Sequence, residues 1–134
     1  MITVQEAQEL IHKYSIALET EHVALQDAHG RVLSQTISAD RDFPPFNRVT
    51  MDGIAIQFSS FEQGLRSFQI EGIAAAGKEQ MTLNNGASCL EVMTGSIMPN
   101  NCDTVIRYED VEIENGKATI NTDTLKFKQN IHFK

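Results

Sequence analysis

The sequence predicts an α+β fold: a helical, mixed N-terminal arm joined to a small β-barrel-like or sandwich lobe of about six strands. Three observations predict it. Residues 1–42 open on a helical period of apolar side chains, the pair Pro44-Pro45 ends that character, and short β-prone runs broken by glycines follow.

The helix begins at Thr3, whose T-x-x-E spacing to Glu6 makes a capping box: each side chain satisfies a backbone N–H at the start. Val4, Ala7, Leu10, Ile11, Tyr14, Ala17 and Leu18 then fall on one face, opposite Gln5, Glu9, His12 and Lys13. Glu21 to Leu25 reads as extended, and a second short helix is expected from Asp27 through Leu33, although Gly30 interrupts it. Gln35 to Ala39 alternates weakly and is expected to be a strand. In Asp42-Phe43-Pro44-Pro45-Phe46 each proline fixes its own φ and pushes its predecessor out of the helical region, so a stiff extended loop is expected. The β-prone runs are Gly53 to Phe58, Phe68 to Ile73, Ala87 to Met93, Thr104 to Tyr108, Val111 to Ile113 and Ala118 to Ile120. Asn115-Gly116 between the last two is a type I′ hairpin signal. A barrel-like or sandwich arrangement buries such half-apolar strands while limiting exposed edges.

At 134 residues the chain fits one ordinary domain or two small lobes, and it needs no disulfide or structural metal to bury a core. Its 11 basic and 18 acidic residues leave a net charge of −7. That balance opposes broad binding to nucleic acid or anionic lipid, and aromatics at 7% offer few stacking platforms. Small phosphorylated ligands stay open. Cys89 and Cys102 form no CxxC pair and read as reduced thiols. The first residues lack a basic segment followed by an apolar core, and no apolar run reaches the roughly 20 residues of a membrane span, so a cytoplasmic location is expected.

Two loops are candidates for chemistry. In Phe43 to Gly53 a rigid proline segment leads to Arg48, Thr50 and Asp52, and Gly53 lets the backbone beside the carboxylate turn or approach a ligand. Asp52 there can accept a hydrogen bond, orient a water or share a magnesium ion with a phosphate; it can equally be a turn entering a strand. In Val92 to Pro99, Thr94-Gly95-Ser96 supplies two hydroxyls and closely spaced N–H groups, the makings of an anion-binding concavity or of a plain polar turn. The spacing and lysine of a P-loop are missing. His12, His22, His29 and His132 are scattered without ligand spacing, so no metal site is expected within the chain itself. Asp103 reads as a strand-edge residue or, less simply, a second carboxylate, and Glu109, Asp110, Glu112 and Glu114 as a solvated face.

These stretches carry a resemblance. Pro45-Phe46, Met51-Asp52-Gly53-Ile54-Ala55, Ile73-Ala74-Ala75-Ala76-Gly77 and Met93-Thr94-Gly95 through Asp103-Thr104-Val105, with Gly30-Arg31-Val32-Leu33 before them, resemble in order the N-terminal region of the MoeA family, the molybdopterin molybdenumtransferases. Ile54, Ser96 and Asn101-Cys102 depart from that family's Tyr, Ala and Gly-Ala, and Arg48-Val49-Thr50 stands where many members have Asn-Ser-Ala. The resemblance implies an elongated homodimer in which residues 1–42 and 125–134 form a mixed α/β arm lobe and 43–124 a β-barrel-like lobe. It implies a reaction that takes adenylylated molybdopterin and molybdate, uses Mg2+, and leaves molybdenum on the dithiolene. Asp52 and Thr94 would be the catalytic positions, Asp52 with an indirect magnesium contact, and Gly53, Gly95, Ser96 and Pro99 would border the substrate. A molybdopterin adenylyltransferase would be the upstream partner. The resemblance further implies that the sequence stops short of a central catalytic domain, is inactive by itself and holds no cofactor tightly. The other open reading is a stand-alone β-lobe module for binding or dimerisation, without catalysis.

Overall fold

The computed structural model describes residues 2–16 and 18–134; the place of Ala17 in the apolar stripe lies outside the described residues. The chain divides into two compact units, Met1–Ser38 and Ala39–Lys134.

In the first unit, helix α1 spans Val4–Tyr14. The capping box forms as its spacing dictates: Thr3 Oγ1 accepts the Glu6 N–H at 3.2 Å and Glu6 Oε2 accepts the Thr3 N–H at 2.7 Å. None of the described residues of α1 is buried, so local capping rather than packing defines its start. The second helix expected from Asp27 does not form. A single 3₁₀ turn, Leu25–Asp27, stands in its place, and the backbone leaves the helical region at Gly30, where φ is +77°. Gln35 to Ala39 is not a strand either: among the described residues no segment completes a ladder with it.

In the second unit all six expected strands are present, with two further short ones. They are β1 (Arg48–Val49), β2 (Gly53–Ile56), β3 (Ser67–Ala74), β4 (Ser88–Val92), β5 (Thr104–Arg107), β6 (Val111–Glu114), β7 (Lys117–Ile120) and β8 (Ile131–His132). Helix α2 (Phe58–Glu62) takes over where the first β-prone run was expected to continue. Strands β1 and β8 pair with each other, and the other six form one sheet in the order β5-β2-β4-β3-β7-β6. Only β3 and β4 run parallel. The β6–β7 hairpin turns on Asn115 and Gly116 at φ +50° and +75°, the double positive φ of a type I′ turn.

Connectivity curls this sheet. Its two edge strands, β5 and β6, would lie about 24 Å apart if the sheet were flat. They are joined only by the 3₁₀ turn Tyr108–Asp110, a link that spans about 14 Å at full stretch. The sheet therefore closes into a half-barrel, as the fold class predicted. Ile106 at one edge and Ile120 near the other meet in a single core with Ile54, Ile56, Phe61, Phe68, Cys89 and Ala118, which places that core inside the curl. A second core, Val49, Ala55, Ala74, Val92, Met98 and Val105, fills the opposite face of β2 and β4. Alternation along β2 feeds both cores, with Ile54 and Ile56 on one side and Ala55 on the other.

Candidate functional site

Strand register brings the two candidate loops together. Gly53, the first residue of β2, lies opposite Val92, the last residue of β4, and opposite Arg107, the last residue of β5. Ala74, the last residue of β3, also pairs with Val92. One end of the sheet thus gathers the Asp52 loop, the Thr94 turn, the Ala75–Gly77 turn and the Arg107–Tyr108 corner.

At that end the Thr94 N–H donates to Asp52 Oδ1 at 2.6 Å. Both residues are exposed. The Thr94 backbone N–H, and secondarily its hydroxyl, hold the Asp52 carboxyl below the ordinary carboxylate range, against a small desolvation effect. Tyr108 supports the same loop from the other side, its N–H donating to the Asp52 carbonyl at 3.1 Å. Its hydroxyl donates to Glu91 Oε2 at 2.8 Å, and burial, then Glu91, then Asp52 push that hydroxyl up to about 12. Sequence reasoning missed Tyr108, which the β2–β5 register sets against Asp52, and Glu91, which accepts the Tyr108 hydroxyl.

The turn after β4 is not a nest of free amides. Thr94 N–H serves Asp52, Gly95 N–H donates to the Val49 carbonyl at 2.9 Å, and Ser96 N–H donates to the Met93 carbonyl at 3.0 Å. What the turn offers a ligand is therefore the exposed Thr94 and the half-buried Gly95. Gly95 sits at φ +88°, a conformation that side chains disfavour. Ser96 is buried and, among the described residues, its Oγ has no hydrogen-bond partner; Pro99 is buried as well. Gly53 is buried for a reason inside the sheet: a Cβ there would come within 1.8 Å of the Ile106 carbonyl oxygen.

The remaining candidates have structural partners. Asp103 Oδ1 accepts the Phe58 N–H at 2.7 Å, tying down the first residue of α2. Arg48 lies with its Nη2 at 3.5 Å from His132 Nδ1 and its guanidinium 6.0 Å from the Phe43 ring centroid. Asp110 pairs with Arg107 at 2.8 Å. Cys89 and Cys102 are free thiols, each pushed up to about 12 chiefly by burial. Among the described residues, no group of three or more His, Cys, Asp or Glu could hold a metal ion, and no helix is long and apolar enough to cross a membrane.

Comparison with known proteins bears on the same region. Residues 2–134 match the family model described as the MoeA N-terminal region, domains I and II. A molybdopterin molybdenumtransferase of Synechocystis sp. is 43% identical over 120 residues, covering 90% of this chain and 31% of that protein. One from Bacillus subtilis is 32% identical over 124 residues, covering 87% of this chain and 29% of that protein. Among solved structures, the crystal structure of the molybdopterin biosynthesis moeA protein from Pyrococcus horikoshii OT3 superposes with a TM-score of 0.72 at 30% identity, covering 96% of this chain and 35% of that one. The chain thus spans about a third of the length of these relatives.

Proposed function

This chain belongs to the MoeA N-terminal family, whose domains I and II it spans, and from that premise we propose that it supplies the Asp52–Thr94 half of a molybdopterin molybdenumtransferase active site. The observation that carries the proposal is the 2.6 Å hydrogen bond joining Asp52 to Thr94, one from each candidate loop, at an exposed sheet end. The substrates in this reading are adenylylated molybdopterin and molybdate, and a molybdopterin adenylyltransferase supplies the former. The working form is a cytoplasmic homodimer in which the rest of the cleft comes from a central domain like that of the longer relatives, so the present stretch does not catalyse by itself. The division into an arm lobe of 1–42 with 125–134 and a β lobe of 43–124 belongs to the same proposal.

Within that cleft Asp52 is ionised at neutral pH, because its hydrogen bond from Thr94 favours the charged form. It orients a water at the adenylate phosphate, and on substrate binding the Thr94 hydroxyl turns from Asp52, which keeps the Thr94 N–H, to donate to the anionic substrate. Gly95 keeps that turn in the shape that presents Thr94. Asp52 would contact Mg2+ indirectly, since its Oδ1 already accepts the Thr94 N–H. When bound, that ion would neutralise charge on the substrate's phosphate oxygens.

The test grafts this chain in place of the matching third of a full-length relative and measures molybdenum transfer to adenylylated molybdopterin. An active chimera whose turnover falls by about a hundredfold with Asp52→Ala is the expected result. A folded chimera without transfer, or one indifferent to Asp52, would sink this reading and leave the binding or dimerisation module.

A further inference from the structure

The Asp52–Thr94 bond lies just beyond the last rung of the β2–β4 ladder, where Gly53 stands opposite Val92. Both its residues are exposed, so water competes for each partner. A second link between the same two loops is better shielded. The Tyr108 N–H holds the Asp52 carbonyl at 3.1 Å, and the Tyr108 hydroxyl donates to Glu91 Oε2 at 2.8 Å. Glu91 lies within β4, three residues before Thr94. One tyrosine thus grips Asp52 by its amide and the Thr94 strand by its hydroxyl.

This link crosses the sheet. Strands β5 and β4 flank β2 and are not neighbours, and strands on either side of a third lie about 10 Å apart. Ile54 of β2 pairs with Glu91 on one side and with Ile106 on the other, and Tyr108 follows Ile106 by two residues. The span therefore takes a long side chain from each flank, which tyrosine and glutamate supply. Both are half-buried, a setting in which a hydrogen bond is stronger than in water. Burial, ahead of Glu91 and Asp52, pushes the phenol up to about 12, so it remains a donor throughout the neutral range. The ring alone would serve packing; the hydroxyl makes the tie. We propose that Tyr108 and Glu91 are positioning residues, whose hydrogen bond fastens the end of β5 to β4 across β2 and so keeps the Asp52 carboxylate in register with the Thr94 N–H. What the positioned pair then does rests on the reading given under Proposed function.

Tyr108→Phe removes the hydroxyl and keeps the ring and the N–H. In the present chain, followed by NMR as pH is lowered, its Thr94 amide should show a smaller upfield step than the parent, with a midpoint nearer the usual aspartate value. Glu91→Gln keeps an acceptor oxygen for the phenol and no longer titrates, so its Thr94 step should match the parent's. Glu91→Leu removes the acceptor from the other end and should reproduce Tyr108→Phe, and the double variant should add nothing further. Should Tyr108→Phe fail to fold, Glu91→Leu carries the test. In the chimeric enzyme Tyr108→Phe should lower kcat by about tenfold with KM held, the worth of one part-buried hydrogen bond to a charged group. A parent-like Thr94 step in Tyr108→Phe and Glu91→Leu, with only urea stability lost, overturns the inference. So does a step altered as much by Glu91→Gln as by Tyr108→Phe, since the charge of Glu91 would then be the cause. The two proposals fail separately. An inactive chimera with a Thr94 step that follows Tyr108 removes the transferase reading, whereas an Asp52-dependent chimera in which neither turnover nor step responds to Tyr108→Phe removes only the tie.

Discussion

Replacing Gly53 with alanine tests why that glycine is there. The added Cβ would stand 1.8 Å from the Ile106 carbonyl oxygen and 2.9 Å from the Arg107 Cα, both backbone atoms of β5 that no rotamer change can move. An ordinary carbon–oxygen contact is about 3.3 Å, so β2 and β5 must part by roughly 1.5 Å at this point. Parting them breaks the Gly53–Arg107 pairing and the hydrogen bond from Tyr108 N–H to the Asp52 carbonyl. Two lost backbone hydrogen bonds at about 1 kcal/mol each, with about 1–3 kcal/mol of overpacking strain, give a loss of about 3–5 kcal/mol. That is a large share of the roughly 5–15 kcal/mol that holds an ordinary domain together. Urea denaturation followed by circular dichroism measures it directly, the slopes of the two proteins deciding whether the comparison is valid. A loss below about 1 kcal/mol at equal slope would refute the reasoning and return Gly53 to a ligand-facing role.

Two other substitutions follow from the same geometry. Ser96→Ala removes a buried hydroxyl that has no partner among the described residues, and should raise stability by about 1 kcal/mol in the same urea assay; a loss instead would show that the hydroxyl is satisfied. Glu71 accepts the Asn84 N–H at 2.9 Å and the Asn85 N–H at 3.1 Å, so Glu71→Ala should speed hydrogen exchange at those two amides by about tenfold, and unchanged exchange would show that the loop holds itself.

The sheet was legible because each strand of the half-barrel carries its own apolar pattern and its own turn residues. Ile54, Ala55 and Ile56 identify β2 without knowledge of its neighbours, and Asn115-Gly116 identifies the last hairpin. What escaped depends on distant partners. Strands β1 and β8 are two residues each and exist through pairings such as Val49 with Ile131. The first turn of α2 is held by Asp103, 45 residues further along the chain. The expected helix from Asp27 failed where Gly30 turns the backbone to positive φ, a local signal that the apolar Val32-Leu33 pair outweighed in the sequence. For the site, a single sequence showed both loops as chemically unusual but not their meeting, which follows from the register of Gly53 against Val92. Nor could it show that the Gly95 and Ser96 amides are committed within the protein, or that Tyr108 reaches Glu91 across β2.

The Asp52–Thr94 bond is the centre of the account, and the pH titration of the Thr94 amide proton by NMR reads it most directly. A carboxyl whose folded pKa is depressed adds stability above its unfolded pKa, and that contribution disappears as pH falls through the folded value. The Thr94 signal should therefore hold a downfield position at neutral pH and move upfield with a midpoint below the usual aspartate value, and Asp52→Asn should abolish the step. A Thr94 amide that does not respond to pH, or one with a midpoint at or above the usual value, would mean that the two loops do not form one site.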